Sequence, residues 1–153
     1  MAAATGLAEE HLWPYTTSKF RAKPSLWSFA DAKRHRVLRY ERMLPSQGRI
    51  VLAGGNPWVF GVPIWESFES DQAAATGLVP MPGANEKSLG GHCMAAFGYD
   101  DEKVLFPGLE PGAFLIRNSW GLWGLDGYCW MPYKYLLDWA TDCWVILNLA
   151  LEG

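Results

Sequence analysis

Several patterns are missing from this 153-residue chain. There is no run of about 18 or more uncharged apolar residues, so no segment has the length and character of a membrane-spanning helix. The N-terminus, Met1-Ala-Ala-Ala-Thr-Gly-Leu-Ala, meets Glu9 and Glu10 before any apolar stretch of signal-peptide length, and no basic region precedes it. No feature of the chain names a compartment. Cysteine is scarce: Cys93, Cys129 and Cys143 cannot all pair, and they are too sparse for a disulfide scaffold or a Cys-x-x-Cys metal knuckle, so free thiols are expected. Charge is also thin, at 19% of residues with a formal net charge of −3. With half the residues hydrophobic, a disordered polymer, a collagen and a coiled coil are excluded. What is plentiful is aromatic: nine Trp, seven Phe and six Tyr. Rings in that number need large surfaces to pack against. By length alone the chain fits one compact domain.

The few charges are segregated. Lys19 to Arg49 carries nine basic residues against Asp31 and Glu41, a net of +7 that leaves −10 for the rest. With Trp27, Phe29 and Tyr40 interleaved, the stretch superficially matches a basic and aromatic nucleic-acid surface. The commoner origin of such a pattern is a solvated face on which Arg stems cover apolar surface, and no nucleic-acid partner is expected.

Local signals predict a short helix from Ser25 to about His35, with Ser25 as its cap and Leu26, Phe29 and Ala30 on one side. A strand follows over Val37–Met43, then a helix from Ser46 to about Ala53 stopped by Gly54-Gly55, whose missing Cβ suits a left-handed cap. Trp58–Trp65 is a continuous apolar run, which reads as a strand buried on both faces with Pro63 near its end. Residues 66–90 are polar and rich in Gly, Pro and Asn, and read as loop with a short strand over Gly77–Met81. Strands are expected at Gly91–Tyr99, Gly112–Arg117 and Gly127–Met131, a turn of helix near Tyr133–Trp139, and a final strand at Cys143–Leu149. This arrangement suggests an antiparallel sheet or a small barrel.

Chemistry is concentrated in two places. His11 and His35 read as surface residues, but His92 follows Gly90-Gly91 and opens an apolar strand, which sets its imidazole at a strand mouth. The segment Arg117-Asn-Ser-Trp-Gly-Leu-Trp-Gly-Leu-Asp-Gly-Tyr128 places an amide two residues from an indole in a tight, glycine-rich turn. A strand ending in Asn118 can offer a neutral acceptor that orients an imidazole without fixing a full negative charge beside it. Trp120 is placed to cover that hydrogen bond from water. A tight Gly/Trp turn with no catalytic role is the plain alternative.

Together, Gly90-Gly-His-Cys-Met-Ala-Ala-Phe-Gly-Tyr99 and Phe114-Leu-Ile-Arg-Asn-Ser-Trp-Gly-Leu-Trp-Gly-Leu-Asp-Gly-Tyr128 resemble the C-terminal part of papain-family cysteine peptidases. Those enzymes carry a Gly-His strand, a Gly-Tyr turn and then Asn-Ser-Trp-Gly-x-x-Trp-Gly-x-x-Gly-Tyr. Upstream, Gly6-Leu-Ala-Glu-Glu-His-Leu-Trp-Pro-Tyr15 resembles the family's Glu-x-x-Tyr-Pro-Tyr segment, and Gly55-Asn-Pro-Trp-Val-Phe60 its Gly-Pro-Val strand. The resemblance implies an α+β fold: an antiparallel, barrel-like right domain over residues 56–153, and a left-domain remnant with partial helices and a connecting segment over 1–55. These make a single incomplete peptidase domain over 1–153.

It further implies hydrolysis of peptide or protein substrates without metal or cofactor. His92 would be the acid/base and Asn118 its orienting partner. Trp120, Gly90 and Gly91 would line the cleft. The family's nucleophilic Cys stands about 130 to 150 residues ahead of the His, which is upstream of Met1, and no Cys precedes Cys93. Cys93 neighbours His92 on a strand, where adjacent side chains point to opposite faces, so it makes a poor substitute. Adjacent residues are not metal-ligand spacing either. Cys129 and Cys143 fall inside apolar strands, as small buried hydrophobes do. The chain is therefore expected to supply the His/Asn half of a site and to be inactive alone, needing a segment or chain that carries the nucleophile. The competing reading is a non-catalytic relative that binds peptides or proteins. An apolar face left uncovered is a further expectation.

Overall fold

The computed structural model describes residues 4–151, with the side chains of 148–151 outside the description. The elements run α1 (Leu26–Ala32), β1 (His35–Arg42), α2 (Gly48–Ala53), β2 (Trp58–Trp65), α3 (Asp71–Thr76), β3 (Ser88–Asp100), β4 (Ala113–Arg117), α4 (Trp123–Asp126), β5 (Tyr128–Pro132), α5 (Tyr133–Trp139) and β6 (Thr141–Leu151). The strands form a six-stranded open sheet in the order β1-β6-β2-β3-β4-β5. Among the described residues no helix is long and apolar enough to cross a membrane.

By contact density the chain divides into two units: residues up to Glu41 together with those from Ile146 onward, and Arg42–Val145. In the first, Ser25 caps α1 as its sequence suggests, its hydroxyl accepting the Ser28 N–H. The helix turns a different face inward from the one expected. Ser28 and Ala32 are buried and Phe29 half-buried, whereas Leu26, Trp27 and Ala30 are exposed. A seven-residue helix spans only two turns, too few to define a face by period alone. Tyr15, Phe20, Leu26 and Trp27 each expose roughly three quarters or more of their surface, so large apolar side chains do stand uncovered in this unit.

In the second unit, α2 ends where two glycines follow Ala53, but only Gly55 is left-handed, at φ 79°; Gly54 has an ordinary φ of −77°. The Asn56 N–H reaches Val51 O and the Gly55 N–H reaches Leu52 O. That pair of bonds closes the helix with its left-handed residue one position beyond the cap.

Strand β2 has the predicted limits but not the predicted burial. Trp58, Phe60, Val62 and Ile64 are buried, while the alternate residues are half-buried. One face therefore carries the core, where Trp58 packs against Phe60 at 5.1 Å and edge-on to Phe114 at 5.5 Å. The other face is partly roofed by aromatics, with Trp65 4.6 Å from Trp139 and 5.6 Å from Tyr135. Pro63 is tolerated inside the strand, and its carbonyl accepts the Tyr135 hydroxyl at 3.1 Å.

The segment read as loop contains a 3-10 turn, Glu66–Glu69, and then α3. Ser70 caps α3 through the Ala73 N–H, and Gly77, left-handed at φ 65°, ends it. Its alanines favour helix, but six residues are too few for a hydrophobic period to show. The strand expected over Gly77–Met81 is reduced to a parallel bridge, Leu78 to Trp130. It lies along the outer edge of β5, with Trp130 N–H on Gly77 O and Val79 N–H on Trp130 O.

Candidate active site

Two neighbouring antiparallel strands build the site. Strand β3 carries His92 opposite Val62 of β2, and β4 ends at Arg117, directly before Asn118. The β3–β4 register pairs Ala95 with Arg117, so the end of β4 is carried back beside the beginning of β3. His92 and Asn118, 26 positions apart in the chain, thereby come within 2.8 Å, Nε2 to Oδ1.

The roles in this hydrogen bond follow from a third group. Asn118 Oδ1 also faces the Ser119 backbone N–H at 2.8 Å. A backbone N–H can only donate, so the atom facing it is the amide oxygen. The imidazole nitrogen opposite that oxygen must then donate too, which puts the ring proton on Nε2. In the neutral ring this leaves the lone pair on Nδ1. Asn118 is 4% exposed, and its backbone N–H is held by Gly127 O at 2.9 Å. Among the described residues the buried Nδ2 has no hydrogen-bond partner.

Trp120 completes the arrangement. Its ring stacks on His92 with centroids 4.8 Å apart and planes 30° from parallel. The indole is held from behind by Phe68, edge-on at 5.5 Å, and by Trp123, edge-on at 5.5 Å. Phe68 is fully buried and stacks on Trp123. The turn that presents these two Trp is not regular helix, because Gly124 within α4 takes φ 73°, ψ −130°. A side chain at Gly127, left-handed at φ 83°, would meet Gly121 O and the Arg117 guanidinium, so glycine is required to bring the turn back under β4.

A carboxylate secures the segment that supplies Phe68. Glu86 accepts the Ser67 N–H at 3.1 Å through Oε2 and the Gly83 N–H at 3.0 Å through Oε1. Burial alone would raise this carboxyl's pKa, but the hydrogen bonds from Gly83 and Ser67 outweigh it and hold the group below its ordinary range.

The sequence-predicted residues thus divide into two sets. His92, Asn118 and Trp120 meet in one cluster. Gly90 and Gly91 lie just before His92 on β3, paired with Ile64 and Pro63, and a Cβ built on either would meet no atom within 4 Å. Gly90 sits at φ 125°, a conformation strained for any L side chain. Phe68 and Glu86 are supporting residues that sequence reasoning missed, and Trp123, though part of the quoted motif, was given no role there. Of the thiols, Cys129 and Cys143 are buried, and burial raises their pKa to about 12 and about 11. Cys93 is exposed.

Known proteins resemble the chain in sequence and in fold. The chain is 36% identical over 158 residues to an uncharacterized peptidase C1-like protein of Acanthamoeba polyphaga mimivirus, an alignment covering 95% of this chain and 48% of that protein. Its structure superposes on xylellain, a cysteine protease from Xylella fastidiosa, with a TM-score of 0.79 and 32% identity over 96% of this chain and 58% of that one. This chain corresponds to the C-terminal portion of a papain-like cysteine peptidase. Procathepsin B from Trypanosoma congolense shares the fold alone, at a TM-score of 0.59 and 16% identity over 99% of this chain and 51% of that one. No family model matches. The chain spans about half the length of these relatives. The expected fold is confirmed as a mixture of helices and antiparallel sheet, with the sheet open.

Proposed function

We propose that this chain supplies the acid/base half of a papain-like cysteine-peptidase site, acting on peptide or protein substrates, and that it is inactive without a segment carrying the nucleophile. The observation that carries the reading is the 2.8 Å His92–Asn118 hydrogen bond lying against the Trp120 ring.

In this reading His92 Nδ1 takes the proton of an incoming thiol. The thiolate attacks the scissile carbonyl carbon, and the imidazolium then returns a proton to the departing amine, leaving an acyl thioester. Water, deprotonated by the same nitrogen, attacks the thioester and releases the acid. The thiol leaves with a proton from the ring. Throughout, Asn118 holds Nε2–H, so Nδ1 remains the working nitrogen, and Trp120 limits access of water to that bond. Gly90 and Gly91 add no side chains to the space before His92, which suits close passage of a peptide backbone.

None of the three thiols fits the nucleophile's role. Cys129 and Cys143 are held protonated by burial. Cys93 is one residue from His92 on β3, on the opposite side of the strand.

The test compares the purified chain with the same chain joined in frame behind a polypeptide carrying a Gln-x-x-x-Cys segment, using fluorogenic peptides. The chain alone is expected to be silent and the joined protein active, with the activity abolished by His92→Ala. Robust hydrolysis by the chain alone would overturn the claim of inactivity. Activity of the joined protein indifferent to His92→Ala would overturn the assigned role. A joined protein that folds and binds peptides without cleaving them would favour the non-catalytic reading.

A further inference from the structure

The first unit gathers a second group of titratable side chains, none of them used by the proposed mechanism. The His35 side chain, expected at the surface, is only 27% exposed, and its buried Nδ1 has no hydrogen-bond partner among the described residues. Asp31, four residues earlier at the end of α1, has a side chain 10% exposed, and its Oδ2 lies 3.6 Å from that Nδ1. Glu9 reaches the same place from the segment ahead of α1. Its backbone N–H donates to Asp31 Oδ2 at 3.0 Å, its Oε1 lies 3.9 Å from His35 Nε2, and its Oε2 lies 3.0 Å from His11 Nδ1. Arg34 sits 3.9 Å from the other Asp31 oxygen, Oδ1.

The spacing is informative. Direct hydrogen bonds would draw a carboxylate and an imidazole to about 2.8 Å, yet His35 stands off from both acids. Two ligands at about 2.0 to 2.1 Å from one tetrahedral ion lie about 3.4 Å apart, which is close to the Asp31–His35 separation. One ligand atom from each of Glu9, Asp31 and His35 lies within 4.8 Å of the other two. Glu9 is exposed, and its carboxylate would turn from His11 to close the remainder. The orphaned nitrogen and the nearly buried carboxylate give the group an inward-facing side.

The geometry points to a binding site for one divalent ion of the zinc class, held by Glu9, Asp31 and His35. Two carboxylates neutralise a dication, and the imidazole selects a transition ion over magnesium or calcium, which favour all-oxygen shells. Arg34 lies on Oδ1, and Oδ2, which accepts the Glu9 N–H, keeps a second lone pair for the ion. An ion here would fasten the segment around Glu9 to α1 and the start of β1, and would stabilise the folded chain by mass action.

The experiment uses the full chain after chelation and dialysis. Zinc is titrated by calorimetry, cobalt by visible absorption, and magnesium serves as the comparison. The expected result is one zinc per chain, the absorption of tetrahedral cobalt, a higher melting temperature with zinc, and no response to magnesium. Glu9→Gln and His35→Ala should each weaken zinc by at least about tenfold, and Cys93→Ser should not. Glu9→Gln, an exposed and nearly isosteric change, keeps the test valid if His35→Ala does not fold. The proposal is overturned if zinc does not bind, if magnesium competes equally, or if Glu9→Gln binds zinc as tightly as the unaltered chain.

Discussion

Phe68 and Trp123 lie face to face, with ring centroids 5.2 Å apart and planes only 9° from parallel. Both press on Trp120, which in turn lies on His92. The histidine's orientation therefore rests on a ring in the segment between β2 and α3. Phe68→Ala should cost about 3 to 5 kcal/mol, measured by denaturant unfolding, and Phe68→Leu clearly less. Tryptophan fluorescence of the folded Phe68→Leu protein should shift, since two indoles lose an aromatic neighbour. A spectrum matching the unaltered chain would mean that the stack does not hold Trp120.

The His92 tautomer can be tested without any catalytic activity. Nitrogen-15 spectra of the neutral ring should place the proton on Nε2, because Asn118 Oδ1 is committed as acceptor by the Ser119 N–H. In Asn118→Ala that constraint is gone, and a mixture of tautomers is expected. In the joined peptidase the same substitution should lower kcat more than it raises KM, as loss of ring orientation does.

Glu86 gives the acid side of the stability profile. Its carboxyl is depressed in the folded chain, so its stabilising contribution is complete above the ordinary pKa of 4.5 and is lost as the pH falls through the depressed value. Glu86→Gln should lower the melting temperature at neutral pH, and the difference from the unaltered chain should shrink as the pH drops below 4.5. A constant difference across that window would show that the charge is not what secures the Ser67 and Gly83 amides.

Thiol chemistry should separate the three cysteines. Cys129 and Cys143 are buried with pKa values raised to about 12 and about 11 by desolvation, whereas Cys93 is exposed. Iodoacetamide at neutral pH should label Cys93 alone in the folded chain and all three in denaturant, as read by peptide mass spectrometry.

The parts of this fold that were legible in the sequence are those with a long local pattern. Strand β2 appears at its exact limits as an eight-residue apolar run, and α5 between a proline and a change of composition. His92 and Asn118 were legible because each stands at the mouth of a strand beside glycines, and because their motifs resemble one family in the right order. Phe68 and α3 were not, since the hydrophobic signal of a 3-10 turn and a six-residue helix is diluted by polar neighbours. The amide that fixes Asn118 belongs to the backbone of Ser119, and a backbone donor leaves no mark in a residue pattern. The buried set of α1 turned out to be Ser28 and Ala32, because small residues let the helix sit close to what it covers.

The parallel bridge from Leu78 to Trp130 also governs how this chain meets its own copies. Strand β5 is outermost in the sheet, yet its central N–H and C=O are already engaged by Gly77 and Val79, and it closes at Pro132, which has no N–H to offer. An incoming strand would have to displace a covalently tethered one before it could add to the ladder. On that side the sheet is closed to strand addition, so self-templated growth has no place to start there.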